Sequence, residues 1–371
     1  MFIGEKIYDI KESIALSFNQ TVNNLIIQLL LHYFQRNIIC VNHFLRTNKK
    51  GMKMMDKKEI YHQLTKIVEE KDILVDEYLY LHTYTRLGGK ADFFVTPSTY
   101  EQVQNIIKFA NENNVPFTLI GNGSNLIVKD GGIRGIVLSL KNFDKITVQG
   151  HQLIAQSGAA IIQASKEALE AHLTGLEFAC GIPGTVGGAL YMNAGAYGGE
   201  IKDVLDHALV IDKDGNLVKR QNKDFNFGYR YSNISENGDI VLEAVFNLKP
   251  GNYEEIKAVM DDLTERRQMK QPLEYPSCGS VFKRPPGYYA GKLIQDSGLQ
   301  GTRIGGAEVS KKHAGFIINL GHATASDYIK LIEHVQKTVK EKFNVTLERE
   351  VKIIGEDLDE EPENKEEKTT S

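Results

Sequence analysis

The chain carries no excess of basic charge: 44 lysines and arginines face 48 aspartates and glutamates, a net charge of −4. It offers no bulk electrostatic footprint for nucleic acid or an anionic membrane, so neither is expected as a partner. Cysteine is scarce as well. Cys40, Cys180 and Cys278 lie far apart, in no Cys-x-x-Cys or Cys/His ligand spacing. That removes a disulfide framework and a zinc site, so no metal is expected and a cytoplasmic location fits. A long uninterrupted apolar run is also missing. The nearest, NNLIIQLLLHYFQRNIICVNHF, is broken by Gln28, His32, Gln35 and Arg36 and lacks both a basic start and a small-residue cleavage site. It is a poor membrane span and a poor signal peptide. Two common phosphate-binding fingerprints are incomplete. GNGSN (121–125) has no third glycine and runs into a strand-like LIV, unlike a Rossmann turn, and GYYAGKL (287–293) has no Ser or Thr after Lys292.

What is present is an alternating pattern with different ends. Residues 1–51 read as an N-terminal extension; Met52, Met54 and Met55 cluster before the helical pattern DKKEIYHQLTKIVEE, which suggests an internal start. EDLDEEPENKEEKTTS (356–371) reads as a disordered acidic tail. Between them, ADFFVTP and PFTLIG flank a helix that Ser98 and Glu101 are expected to cap, with Val103, Ile106, Ile107 and Ala110 on its buried face. This strand, helix, strand unit predicts a small parallel sheet. RGIVLSL, DKITVQG, HQLIAQSG and DHALVIDKDGNLVKR, with its Asp214-Gly215 turn, predict a more antiparallel region. Helices are predicted around 253–270 and 325–342, the second capped by Thr324 and Asp327 and burying Leu331, Ile332, Val335 and Val339. The reading is α+β in three pieces: 56–135, 136–251 and 252–355.

Two segments point to a ligand. A strand ending in Gly121, Asn122, Gly123, Ser124 and Asn125 leaves backbone N–H groups free to converge on phosphate oxygens. Some sixty residues on, GIPGTVGGALYMNAGAYGGE (181–200) packs seven glycines into twenty residues. So much bare backbone indicates tight turns or another molecule lying against the main chain. One phosphate-like and one apolar glycine segment could together hold a dinucleotide with a flat ring system, such as a flavin.

The motifs TRLGGKADFFVTP, LIGNGSNLIVKDGGIRG, GLEFACGIPGTVGGALYMNAGAYGGE, FGYRYS, CGSVFKRP and LEREV occur in this order. The chain between about 56 and 355 thereby resembles the UDP-N-acetylenolpyruvoylglucosamine reductase family, flavoenzymes of bacterial cell-wall precursor synthesis. The resemblance implies a vanillyl-alcohol-oxidase/PCMH-type FAD-binding fold of two subdomains (56–135 and 136–251) plus a C-terminal α+β substrate-binding domain (252–355). It implies noncovalent FAD, NADPH as reductant and a UDP-sugar substrate, and a monomer is expected. Gly121, Asn122, Gly123, Ser124, Asn125, Gly181, Ile182, Pro183, Gly184, Thr185, Gly187, Gly188, Asn193 and Gly195 become the cofactor-binding candidates. By the same resemblance, Arg230 and Glu350 sit at the substrate carboxylate and Ser280 donates a proton, while Lys270, which could equally be a helix-end charge, and Arg284 are weaker candidates for the substrate's diphosphate and nucleotide. Position 284 is often not arginine in the family, which weakens that last transfer. The span from Ser280 to Glu350, about seventy residues, leaves little room for the long lid of one subclass, so the chain resembles the shorter one. Other readings are another FAD-dependent oxidase on this fold and a non-catalytic nucleotide-sugar binder. Each site residue also has a plain structural role open to it: Arg230 as a cation over a tyrosine, Ser280 as a turn cap, Glu350 as a strand-edge charge.

Overall fold

The structure, a computed structural model, describes residues 55–358. The expectations for the extension 1–51, for Met52 and Met54, and for residues 359–371 of the tail lie outside these. The described residues fall within one compact unit.

The first sheet has the order Ile73–Tyr78, Lys90–Val95, Ile133–Ser139, Phe117–Ile120. Its last three strands are parallel and the first is an antiparallel edge. The crossover helix Tyr100–Asn113 joins Lys90–Val95 to Phe117–Ile120 and buries Val103, Ile106, Ile107 and Ala110. Burying such aliphatic side chains contributes about 1.5–3 kcal/mol apiece. The helix starts one residue later than Ser98 and Glu101 suggest. Thr99 accepts the Gln102 N–H, and the Gln102 carbonyl oxygen reaches back to the N–H groups of both Ser98 and Thr99. An amide carbonyl that satisfies two end donors outcompetes the earlier register.

The second sheet is antiparallel throughout, in the order Leu217–Gln221, Leu205–Ile211, Ile240–Asn247, Gln152–Gln156, Ile146–Gln149. Gly215 takes φ +86° in the Asp214-Gly215 turn, where Asp212 Oδ1 accepts from the N–H groups of Asp214 and Asn216. The helices Ile161–Glu170 and Val186–Tyr191 share its apolar core. The second of these was not legible in a segment so rich in glycine. It forms because the Thr185 side chain accepts the Gly188 N–H at its start.

The third piece has a four-stranded sheet, Ser277–Ser280, Phe316–Asn319, Ala307–Val309, Arg303–Ile304, with the helices Ala290–Asp296 and Ala325–Phe343. Thr324 and Asp327 form the expected box, and Leu331, Ile332, Val335 and Val339 are buried. The pieces interlock. Ile211, Ile240 and Leu242 complete the first core, and Leu87 and Ile127 enter the third. Lys352–Ile354 returns to pair in parallel with Leu126–Val128, directly after GNGSN. The tail also begins later than expected. Glu356 exchanges backbone hydrogen bonds with Gly131 and Gly132, and Lys129 pairs with Asp357 at 2.7 Å. A Cβ on Gly131 would sit 2.2 Å from the Asp357 carbonyl oxygen, so bare glycine lets the acidic segment dock there.

Candidate active site

The three pieces meet around a cavity of about 1740 Å³. That exceeds the roughly 300–1,000 Å³ of a pocket for one small ligand and leaves room for a long dinucleotide beside a second molecule. Gly121 to Asn125 form one wall. Among the described residues, none of their five backbone N–H groups has a protein acceptor. Such a run of free donors on a cavity wall can receive oxygens from outside the chain. Asn125 is held from behind, with its Nδ2 donating to the Glu350 carbonyl at 3.3 Å.

Gly181 to Thr185, Gly187, Gly188 and Gly195 form the adjoining wall. A Cβ on Gly121 would lie 2.7 Å from Thr185 Oγ1, and one on Gly181 would lie 2.7 Å from the Arg267 side chain. Glycine at these two positions therefore lets the walls close on each other. Asn193 is the exception among the candidates. It is wholly buried, with Nδ2 donating to Glu200 Oε2 and to the Gly228 carbonyl, and Oδ1 accepting from the Lys202 N–H. It lies behind the wall, and its polar groups are spent on the loop that leads to Arg230.

Arg230, Ser280 and Glu350 come to one region of the cavity from three distant segments. Arg230 has φ +54°, in a turn closed by mutual backbone hydrogen bonds between Gly228 and Tyr231. Its Nε donates to Glu350 Oε1 at 2.9 Å and its Nη2 to the Gly195 carbonyl at 2.7 Å, with the guanidinium 5.2 Å from the Tyr229 ring centre. Glu350 is no strand-edge charge. Its side chain is 16% exposed, and burial pushes its carboxyl up while Arg230 opposes the shift. The Glu350 N–H donates to the Val281 carbonyl at 2.8 Å, which fixes the carboxylate segment next to Ser280. Ser280 ends its strand opposite Phe316, after Gly279 at φ +74°. Its hydroxyl caps nothing among the described residues.

Lys270 is the last residue of the helix Tyr253–Lys270, exposed at the cavity edge. Arg284 lines the same edge, its guanidinium 4.0 Å from the Tyr289 ring centre. Sequence reading missed Arg267, one turn before Lys270. Burial lowers the pKa of this guanidinium, and among the described residues it has no carboxylate partner. Its neighbour Arg266 pairs outward with Asp262, so only the helical register separates them. Also missed were Lys311, Lys312 and His313, a polar triplet between two short strands. Nine lysines and arginines line the cavity against two carboxylates, Asp239 and Glu350. In a chain of net charge −4 that local excess suits polyanionic ligands.

Cys180 takes no part in the lining. Its Sγ contacts the Met260 carbonyl at 3.6 Å and Thr264 Oγ1 at 3.7 Å, and burial pushes the thiol up. Among the described residues no cluster of side chains could hold a metal, and no helix is long and apolar enough to cross a membrane.

Residues 91–220, which supply most of the glycine-walled side of this cavity, match the family described as FAD binding domain, and the class is that of an FAD-dependent oxidoreductase. Residues 271–354 match UDP-N-acetylenolpyruvoylglucosamine reductase, C-terminal domain. Proteins named UDP-N-acetylenolpyruvoylglucosamine reductase are 65% identical over 298 residues in Oceanobacillus iheyensis and 63% over 299 in Geobacillus kaustophilus. These matches cover 80% of this chain and 97% of the relative in the first case, and 81% and 98% in the second. The crystal structure of UDP-N-acetylenolpyruvylglucosamine reductase from Thermus caldophilus superposes with a TM-score of 0.66 at 34% identity, covering 76% of this chain and 97% of that one. The chain belongs to the UDP-N-acetylenolpyruvoylglucosamine reductase family.

Proposed function

We propose that the chain reduces the enolpyruvyl ether of UDP-N-acetylglucosamine enolpyruvate to UDP-N-acetylmuramate, with NADPH as reductant, acting as a cytoplasmic monomer. The observation that carries this reading is the Arg230–Glu350 pair fixed beside Ser280, inside the cavity that also holds the free amides of Gly121 to Asn125. The division into 56–135 and 136–251 for FAD and 252–355 for substrate belongs to the same reading.

The donor set fits FAD. The amides of Gly121 to Asn125 would hold its diphosphate, and the glycine wall from Gly181 to Gly195 admits a flat ring against the backbone. When bound, FAD would supply hydride transfer between NADPH and the substrate alkene. The chain's own residues do the rest. Negative charge builds on the substrate carboxylate as the alkene carbon accepts hydride, and the planar guanidinium of Arg230 suits that carboxylate. Arg230 arrives already oriented, because Glu350 and the Gly195 carbonyl hold two of its nitrogens. Burial pushes the Glu350 carboxyl up while Arg230 opposes the shift, and the pair stands together at the place proposed for the substrate carboxylate. The Ser280 hydroxyl, without a partner among the described residues, would give a proton to the carbon bearing the carboxylate. Lys270 and Arg284 at the rim would hold the nucleotide diphosphate.

The test is a spectrum. The purified protein should be yellow, bleach with anaerobic NADPH and regain colour on addition of the enolpyruvyl sugar nucleotide. A flavin that is reoxidised only by oxygen would instead support an oxidase on the same fold.

A further inference from the structure

His313 is a titratable group on the cavity wall that the chemistry above does not use. It follows the strand Ala307–Val309 in a tight turn, where the Ser310 hydroxyl accepts the N–H groups of Lys312 and His313. The turn closes when the Phe316 N–H donates to the His313 carbonyl at 2.9 Å. The imidazole fills a built slot. A Cβ on Gly315 would lie 3.0 Å from its Cε1 and one on Gly291 would lie 3.5 Å from the same atom, while Phe316 presents an edge-on ring with centroids 4.9 Å apart. A Cβ at position 315 would press on the ring and push it out of this slot by a few tenths of an ångström.

The slot sets the tautomer. The Gly315 N–H donates to His313 Nδ1 at 3.1 Å, so Nδ1 is an acceptor and the proton of the neutral ring sits on Nε2. Burial holds the ring towards its neutral form. Nε2 has no partner among the described residues, although His313 lines the cavity. The slot also adjoins Ser280. Phe316 is the cross-strand partner of Ser280, and the Gly315 carbonyl accepts the Val281 N–H at 3.0 Å.

A half-buried ring with one fixed acceptor and one unspent donor is arranged to give a single directed hydrogen bond. We propose that His313 is a substrate-binding residue, its Nε2–H donating to an acceptor oxygen of the sugar nucleotide. This rests on the functional reading above and adds a specificity contact from the turn next to Ser280. The neighbouring lysines, Lys311 and Lys312, supply charge there without direction; His313 supplies direction without charge.

Two substitutions separate the ring's two nitrogens. In His313→Asn the side-chain carbonyl can still accept the Gly315 N–H but nothing reaches the position of Nε2; in His313→Gln the amide nitrogen can reach it. With the full-length, FAD-loaded protein, binding of UDP-N-acetylmuramate is followed through the flavin absorption spectrum. His313→Asn should keep the wild-type flavin content and melting temperature and weaken binding roughly 5- to 10-fold, and His313→Gln should recover most of that loss. An Asn variant that binds as tightly as wild type, or a Gln variant that binds as weakly as Asn, overturns the proposal. Should either variant fail to fold, the histidine-ring NMR spectrum of the wild-type protein decides: adding UDP-N-acetylmuramate should shift the Nε2–H resonance of His313, and an unmoved resonance contradicts the assignment. Wild-type reoxidation by the enolpyruvyl substrate is the control; its failure would bring down the functional reading and this contact with it, whereas a working control with unaltered variant binding sinks this contact alone.

Discussion

Arg230 and Glu350, 120 residues apart in the chain, are joined by a 2.9 Å hydrogen bond from Nε to Oε1. With Nε on Glu350 and Nη2 on the Gly195 carbonyl, the planar group is held in one orientation and Nη1 is its nitrogen without a partner among the described residues. Arg230→Lys keeps the charge and loses the fork. Reoxidation of the reduced flavin by the enolpyruvyl substrate should fall about 10²- to 10³-fold, with flavin content unchanged. Stopped-flow absorbance measures it, and a lysine variant at the wild-type rate would show that the planar fork is not used.

The same pair has a pH signature. Burial pushes Glu350 above the ordinary glutamate value of 4.5, so the folded chain holds that proton more tightly than the unfolded chain. The contribution is complete below the ordinary value and is lost as pH rises through the raised one. Glu350→Gln removes this titration, so the melting temperature of the variant relative to wild type should climb as the pH rises from the ordinary value of 4.5 through the raised one. A difference that stays flat or falls would mean that Glu350 titrates normally.

Asn193 separates a cofactor contact from a structural tie. Replacing it by alanine empties part of a wholly buried position, removes the acceptor of the Lys202 N–H and takes one of two donors from the Gly228 carbonyl. Stability should drop by about 2 kcal/mol, with FAD affinity in the folded protein kept within a few-fold. Denaturant melts and flavin titration report the two effects separately. A large loss of FAD affinity at unchanged stability would return Asn193 to the cofactor.

The flavin should be bound without a covalent link. Cys180 faces the helix Tyr253–Lys270 through Met260 and Thr264, and burial keeps its thiol protonated. Denaturation should release FAD into solution, and Cys180→Ser should purify with the same flavin content. Colour retained in the precipitate of wild type, and lost in the variant, would reverse this.

Much of the architecture is local and was readable as such. Helix faces such as Val103, Ile106, Ile107 and Ala110 follow from spacing alone, and the Asp214-Gly215 turn from the φ it demands. What escaped is non-local. Nothing near Leu126 announces that Lys352–Ile354 will pair with it, and nothing near Arg267 distinguishes it from Arg266 until the opposite wall at Gly181 is in place. Asn193 shows the same limit from the other side: it stands among residues that line the cavity, and only its burial shows that it faces away.

The central claim is that Ser280 delivers the proton that completes reduction, and the two half-reactions isolate it. Flavin bleaching by NADPH requires no proton on the substrate carbon, so Ser280→Ala should bleach at nearly the wild-type rate. Its reoxidation by UDP-N-acetylglucosamine enolpyruvate, followed by anaerobic stopped flow, should slow by about 10²- to 10⁴-fold. Reoxidation of the alanine variant at the wild-type rate would contradict the account and leave Ser280 as a strand-end residue without chemistry.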